Sequence, residues 1–137
     1  MGYDSPMIGW TKPGINDTIP IETTLIQIAY NVQITCSNRN ISIYQIIDDT
    51  TEILRETYSA GKSNYCNVTL DQTSGKNILS LTVLPSTFNK PNSNYYIKID
   101  AGFVKQNTTS EPILGISKYK WTFITGIFLI INTFKHS

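Results

Sequence analysis

Leu25-Ile26-Gln27-Ile28-Ala29-Tyr30 is the stretch that decides the fold. Ile26, Ile28 and Tyr30 alternate with Gln27 and Ala29, and a period of two puts the three large side chains on one face of an extended chain. The β-branched pair Thr23-Thr24 leads into the run, and Pro20 stands before it. Val32 and Ile34 carry the alternation towards Cys36, and Ser37-Asn38-Arg39-Asn40 reads as a turn. A half-buried strand is the consequence.

The same pattern recurs outwards in both directions. Ile41-Ser42-Ile43-Tyr44-Gln45-Ile46 is a second alternating strand. Gly61-Lys62-Ser63-Asn64 is a turn before a strand from Tyr65 to Leu70. Thr73-Ser74-Gly75-Lys76 turns the chain into a run from Asn77 to Leu84, with Leu79, Leu81 and Val83 on one face and Pro85 as its stop. After a loop over Phe88-Asn89-Lys90-Pro91-Asn92-Ser93, Tyr95, Ile97 and Ile99 alternate with Tyr96, Lys98 and Asp100. Residues 105–117 are polar and Pro/Gly-bearing, and Trp121 and Phe123 alternate with Thr122 and Ile124 in a last strand. Residues 47–60 admit two readings. Asp49-Thr50-Thr51-Glu52 caps a short helix, or it is a turn before a strand from Ile53 to Tyr58; the strand is preferred. No repeat of 20–50 residues shows.

Seven or so short strands with turns between them predict an all-β, Ig-like antiparallel β-sandwich. The expected layout is an irregular leader over 1–12, the sandwich over 13–125 and an apolar tail over 126–137. Period-two alternation points Ile26, Ile28, Ile43, Leu81, Ile97 and Trp121 into its core.

At 137 residues one such core can be filled. Charged residues are only 15%, below the ~25% of ordinary soluble domains, so Asn, Ser, Thr, Gln and Tyr must build the surface. Eleven basic against ten acidic residues leave no basic face, and nucleic acid is not an expected partner.

Four triplets fit N-x-[ST]: Asn16-Asp17-Thr18, Asn40-Ile41-Ser42, Asn67-Val68-Thr69 and Asn107-Thr108-Thr109. Each is a glycosylation acceptor in a chain that enters a secretory pathway. The two cysteines, Cys36 and Cys66, form no C-x-x-C and read in that company as one disulfide. Sequons and cysteines together predict an extracellular or cell-surface location. Met1-Gly2-Tyr3-Asp4-Ser5 has neither the basic nor the apolar region of a signal peptide, so a secreted protein would be represented here by a fragment, a mature form or an incomplete reading of the gene. Ile127-Phe128-Leu129-Ile130-Ile131 is apolar but short of the ~20 residues of a spanning helix. It reads as a truncated anchor, a further edge strand or translated non-coding sequence, which leaves membrane or wall anchoring of the full-length protein open.

In order, these strands resemble the SbsA-type Ig-like domain of bacterial S-layer proteins. The resemblance runs over about residues 13–125. It is carried by Leu25-Ile26-Gln27-Ile28-Ala29-Tyr30-Asn31, by Ile41-Ser42-Ile43-Tyr44, by Tyr95-Tyr96-Ile97-Lys98-Ile99-Asp100-Ala101-Gly102-Phe103-Val104, and by Trp121-Thr122-Phe123-Ile124-Thr125. Two features depart from it. Lys105-Gln106-Asn107 stands where many relatives have an Asp-x-x-Gly-type turn, and the bacterial modules usually lack the cysteine pair, so cysteines and sequons look like a fungal-style version. The family implies structural or adhesive extracellular modules, with no catalytic residue to carry over.

Chemistry is sparse. The sole histidine, His136, is among the last three residues, so a Ser/His or Cys/His catalytic system is not supported. Asp48 and Asp49 are neighbours that point to opposite faces of a strand, and they read as turn residues rather than a catalytic pair. With Glu52 they lack the oxygen-ligand spacing of an EF-hand, and no zinc or phosphate-binding motif is present, so no cofactor is expected. The expected function is a non-enzymatic structural or adhesive module whose partner is a cell-wall or surface protein or carbohydrate. The alternative is a carbohydrate-binding module built on the eight tyrosines and two tryptophans, with Trp10 and Tyr44 as its exposed candidates if they share a face.

Overall fold

The computed structural model describes residues 3–59 and 66–126. In chain order the strands are β1 (Ile8–Lys12), β2 (Thr18–Ile19), β3 (Leu25–Tyr30), β4 (Ile34–Cys36), β5 (Asn40–Ile46), β6 (Glu52–Ser59), β7 (Asn67–Leu70), β8 (Asn77–Thr82), β9 (Asn94–Ile99), β10 (Val104–Gln106) and β11 (Ile116–Thr125). A 3-10 turn over Pro85–Phe88 joins β8 to β9. Three of the sequence expectations hold closely. Residues 52–59 are a strand and not a helix, Asp48 and Asp49 lie in the turn before it, and Pro85 stands where β8 has stopped.

Two layers form. One sheet has the order β1-β3-β8-β7, the other β2-β11-β9-β5-β6. Every pair is antiparallel except β2 with β11. Lettered in chain order, these are strands A, B, E and D in one layer and G, F, C and C′ in the other, which is the immunoglobulin-type arrangement. Strand A is divided between the layers, β1 pairing with β3 and β2 with β11. A short ladder of β4 with β10 closes one end, Val104 facing Cys36 and Gln106 facing Ile34.

The inward rows meet as alternation requires. Ile26, Ile28 and Tyr30, with Leu79, Leu81 and Val83 beside them, line the core from the first sheet, and Ile41, Ile43, Tyr95, Ile97, Trp121 and Phe123 close it from the second. All six residues expected in the core are buried. Phe88 sits edge-on to Tyr95 at 5.0 Å and to Phe123 at 5.5 Å, which fills the end of the sandwich under the 3-10 turn. Trp121 donates its Nε1–H to the Pro13 carbonyl at 2.7 Å, so its one polar atom is satisfied inside the core.

Three details differ from the sequence expectation. The stretch 1–12 is not all irregular, because Ile8–Lys12 is an edge strand; its pairing to β3 is offset by a bulge between Ile8 and Trp10. The polar stretch 105–117 contains most of β10 and the start of β11. Among the described residues the strands number eleven rather than seven, because β1, β2, β4 and β10 are added. The tail beyond residue 126 and the turn Gly61–Asn64 lie outside the described residues.

Candidate functional site

All four sequon asparagines are exposed: Asn16, Asn40, Asn67 and Asn107. They lie at loops and strand starts, the surface positions that a bulky hydrophilic group requires. Asn16 sits between β1 and β2 in a left-handed backbone conformation, its N–H bonded to the Thr122 carbonyl at 2.7 Å. Asn40 opens β5, its N–H bonded to Asp100 Oδ2 at 3.2 Å. Asn67 opens the edge strand β7, and Asn107 follows β10 with its N–H on the Gln33 carbonyl. The hydroxyl-bearing partners Thr18, Thr69 and Thr109 are exposed as well, and Ser42 is half-buried.

Cys36 and Cys66 are joined by a disulfide, with Cα atoms 6.4 Å apart. Cys36 ends β4 and Cys66 immediately precedes β7, so the bond ties the small β4–β10 ladder to the edge of the four-stranded sheet.

The outward face of the five-stranded sheet carries an aromatic cluster. Outward positions on neighbouring strands β5, β9 and β11 bring Tyr44, Tyr96 and Tyr119 side by side. Tyr44 stacks on Tyr96 at 4.9 Å, and Tyr119 leans on the other side of the group with ring centroids 4.6 Å from Tyr96. Lys118 Nζ lies 5.7 Å from the centre of the Tyr44 ring. Glu52, at the start of β6, gathers the polar ends. It accepts from the Tyr96 hydroxyl at 2.6 Å, from the Tyr119 hydroxyl, and from Lys118 Nζ at 3.4 Å. The Tyr119 and Tyr96 hydroxyls hold the Glu52 carboxyl below the usual glutamate range. Burial and the hydrogen bond to Glu52 push the Tyr96 phenol far above its ordinary value, so it stays a neutral donor.

Alternation placed Tyr96 on the outer face. What it could not show is that Tyr44 and Tyr119 cover that ring completely, leaving Tyr96 without exposed surface while Tyr119 is 54% exposed. Tyr119 reaches the cluster through a left-handed residue in a register shift between Ile116 and Trp121, a feature with no local sequence signal. Leu54 adds an exposed apolar side chain beside Tyr44. Trp10 and Tyr44 do not share a face. Trp10 is on β1 of the four-stranded sheet, with Lys12 Nζ 5.9 Å from its ring, and Tyr44 is on the opposite layer.

Of the acidic residues weighed for chemistry, Asp48 makes turn bonds. Its Oδ1 accepts from the Thr50 N–H at 2.9 Å and the Thr50 hydroxyl at 3.1 Å. Glu52 belongs to the tyrosine cluster. Among the described residues no three His, Cys, Asp or Glu side chains gather as metal ligands. No helix among the described residues is long and apolar enough to cross a membrane.

The fold therefore belongs to the class of Ig-like β-sandwiches, with a disulfide at one end and a tyrosine-rich outer sheet face. The chain matches no protein-family model and no curated protein. Among solved structures it is similar to CopC from Methylosinus trichosporium OB3b, with a TM-score of 0.52 and 12% identity over 88% of this chain and 92% of that one. At that identity the likeness is one of fold.

Proposed function

We propose that this chain is a non-enzymatic, extracellular or cell-surface Ig-like module with a structural or adhesive role. The observation that carries the reading is the exposure of all four sequon asparagines on a domain that also holds a disulfide. A glycan needs an acceptor at the surface, and a structural disulfide persists in oxidising compartments. The ordered strand pattern that resembles S-layer Ig-like domains supports the same role. For adhesion, the outward face of the five-stranded sheet is the favoured contact surface. Its exposed Tyr119 and Leu54 offer apolar area at a low entropy cost, and Glu52 and Lys118 supply a polar border.

Surface biotinylation of cells expressing the full gene product from its own coding sequence tests the proposal. Labelling of intact cells, or recovery from the medium, is the expected outcome. Protein found only after lysis contradicts it.

The tyrosine cluster also favours a second reading, a carbohydrate-binding module. An exposed tyrosine ring with charged neighbours is a surface on which the apolar face of a sugar can rest. A glycan array separates the two readings. Selective binding that Tyr119→Ala abolishes supports the sugar reading, and retained cell-surface adhesion with no array binding that depends on Tyr119 supports the structural one.

A further inference from the structure

We infer that the disulfide end of the sandwich carries a binding cleft for a carboxylate-bearing sugar, read by Arg39 and Lys105. The cleft lies between the turn before β5 and the segment around β10, with a volume of about 440 Å³. Clefts elsewhere on the described surface measure about 220, 270 and 280 Å³. A site of this size accommodates a small organic ligand and is far larger than a bare ion requires.

Its chemistry is one-sided. Arg39 and Lys105 supply two cations, Ser37 and Asn38 supply a hydroxyl and an amide, and among the described residues no carboxylate lines the cleft. Neither cation forms an ion pair among the described residues. The nearby carboxylate, Asp100, is already engaged, through Oδ1 to Lys98 Nζ at 2.9 Å and through Oδ2 to the Asn40 N–H at 3.2 Å. Arg39 acts on it through charge, while the carboxylate's hydrogen bonds among the described residues come from Lys98 and Asn40. A planar guanidinium left without a partner matches a carboxylate in a two-pronged fashion, and an ammonium nearby reinforces it as a point charge. Serine and asparagine beside them both donate and accept, which suits hydroxyl groups. A ligand combining one carboxylate with several hydroxyls satisfies the whole set.

The frame is stiff. Ser37 N–H bonds the Phe103 carbonyl at 3.0 Å and Gly102 N–H bonds the Ile113 carbonyl at 3.0 Å. Gly102 has a left-handed backbone, and a Cβ there would come within 3.9 Å of Arg39 Cγ and 3.5 Å of Pro112 Cβ. The arginine stem and the proline thus both lie beside a bare glycine. Cys36, one residue from Ser37, is anchored by both the β4–β10 pairing and the disulfide. A cleft held in this way loses little freedom on binding.

The test is a titration of the full chain with sodium glucuronate, followed by amide NMR shifts. Methyl glucoside, sodium sulfate, sodium phosphate and an acetylated aspartate-containing dipeptide amide are the comparison probes. Saturable shifts at Ser37, Gly102 and Lys105 are expected with glucuronate. Arg39→Gln should weaken binding about tenfold or more, Lys105→Gln less, and Arg39→Lys by an intermediate factor because it keeps the charge and loses the fork. Unchanged spectra away from the cleft show that each variant is folded. The inference is overturned by absence of saturation, by unaltered binding in Arg39→Gln, or by any comparison probe binding as tightly as glucuronate. The measurement uses purified protein and does not touch the tyrosine face, so its failure leaves the proposed surface role standing, and the reverse holds too.

Discussion

Replacing Trp121 by alanine probes the sandwich where most of its parts meet. Trp121 has no exposed surface. Its indole meets Tyr3 edge-on at 6.2 Å and Phe123 at 6.4 Å, and its strand pairs it with Ile97. Truncation removes the buried ring and leaves a cavity, a change that costs about 3–5 kcal/mol for large aromatic residues. The lost hydrogen bond adds little. The Pro13 carbonyl that accepts from Nε1 also accepts from Thr11 Oγ1 at 2.8 Å, so it is not left alone in the core. Its loss is therefore worth about 1 kcal/mol and not the full cost of an orphaned buried carbonyl. Trp121→Phe separates the two contributions, keeping most of the volume and losing the bond, with an expected cost of roughly 1–2 kcal/mol. Against the ~5–15 kcal/mol that folded domains possess, the alanine variant becomes marginal. Urea unfolding followed by far-ultraviolet circular dichroism reads both variants without relying on the fluorophore removed. A loss below about 1 kcal/mol in Trp121→Ala, with an unchanged denaturant slope, would refute the claim that this ring organises the core.

Three further outcomes follow from other parts of the fold. Replacing both cysteines by alanine opens a loop with a sequence separation of 30, and the chain-entropy relation then gives a loss of roughly 3.5–4 kcal/mol. Dithiothreitol should lower the melting temperature of the parent chain and leave the double variant unmoved; equal shifts in both would contradict a structural bond. Glu52 has its carboxyl held below the ordinary glutamate value of 4.5 by Tyr119 and Tyr96, so its contribution is present above that value and is lost as pH falls through the lower folded value. The urea midpoint of the parent should exceed that of Glu52→Gln at pH 7 and converge on it in acid, and a gap that widens in acid would reverse the sign of the argument. At Gly115 a Cβ would stand 1.9 Å from the Ile99 carbonyl oxygen, so Gly115→Ala should force the backbone apart and cost about 1–3 kcal/mol or more by thermal unfolding; a neutral effect would mean that this approach is not tight.

Much of the architecture is legible because both sheets are buried on one side only. Ile26-x-Ile28, Ile41-x-Ile43 and Tyr95-x-Ile97-x-Ile99 announce their strands by alternation, and the structure seats those residues inside. β1 is not legible. Gly9 interrupts it, Pro6 and Pro13 flank it, and only pairing with β3 makes Ile8–Lys12 a strand. β10 is three residues long and exists through its partner β4 at a distance in sequence. The cysteines could be paired from the sequence because there are two. The tyrosine cluster could not be found, since it depends on cross-strand register and on the positive φ of Tyr119. The Arg39–Lys105 cleft is hidden for the same reason, joining a turn residue to a residue of a strand the sequence does not reveal.

Central to the proposed function is that this chain is a glycosylated module of the cell surface or extracellular space. The most direct measurement is the intact mass of the full chain made in a eukaryotic secretory host behind a supplied signal peptide, before and after endoglycosidase treatment. The account predicts a heavier, heterogeneous product that collapses on treatment, with Asn16, Asn40, Asn67 and Asn107 as the modified positions on peptide mapping. A secreted product whose mass already equals that of the bare polypeptide, and which the enzyme leaves unchanged, would contradict it.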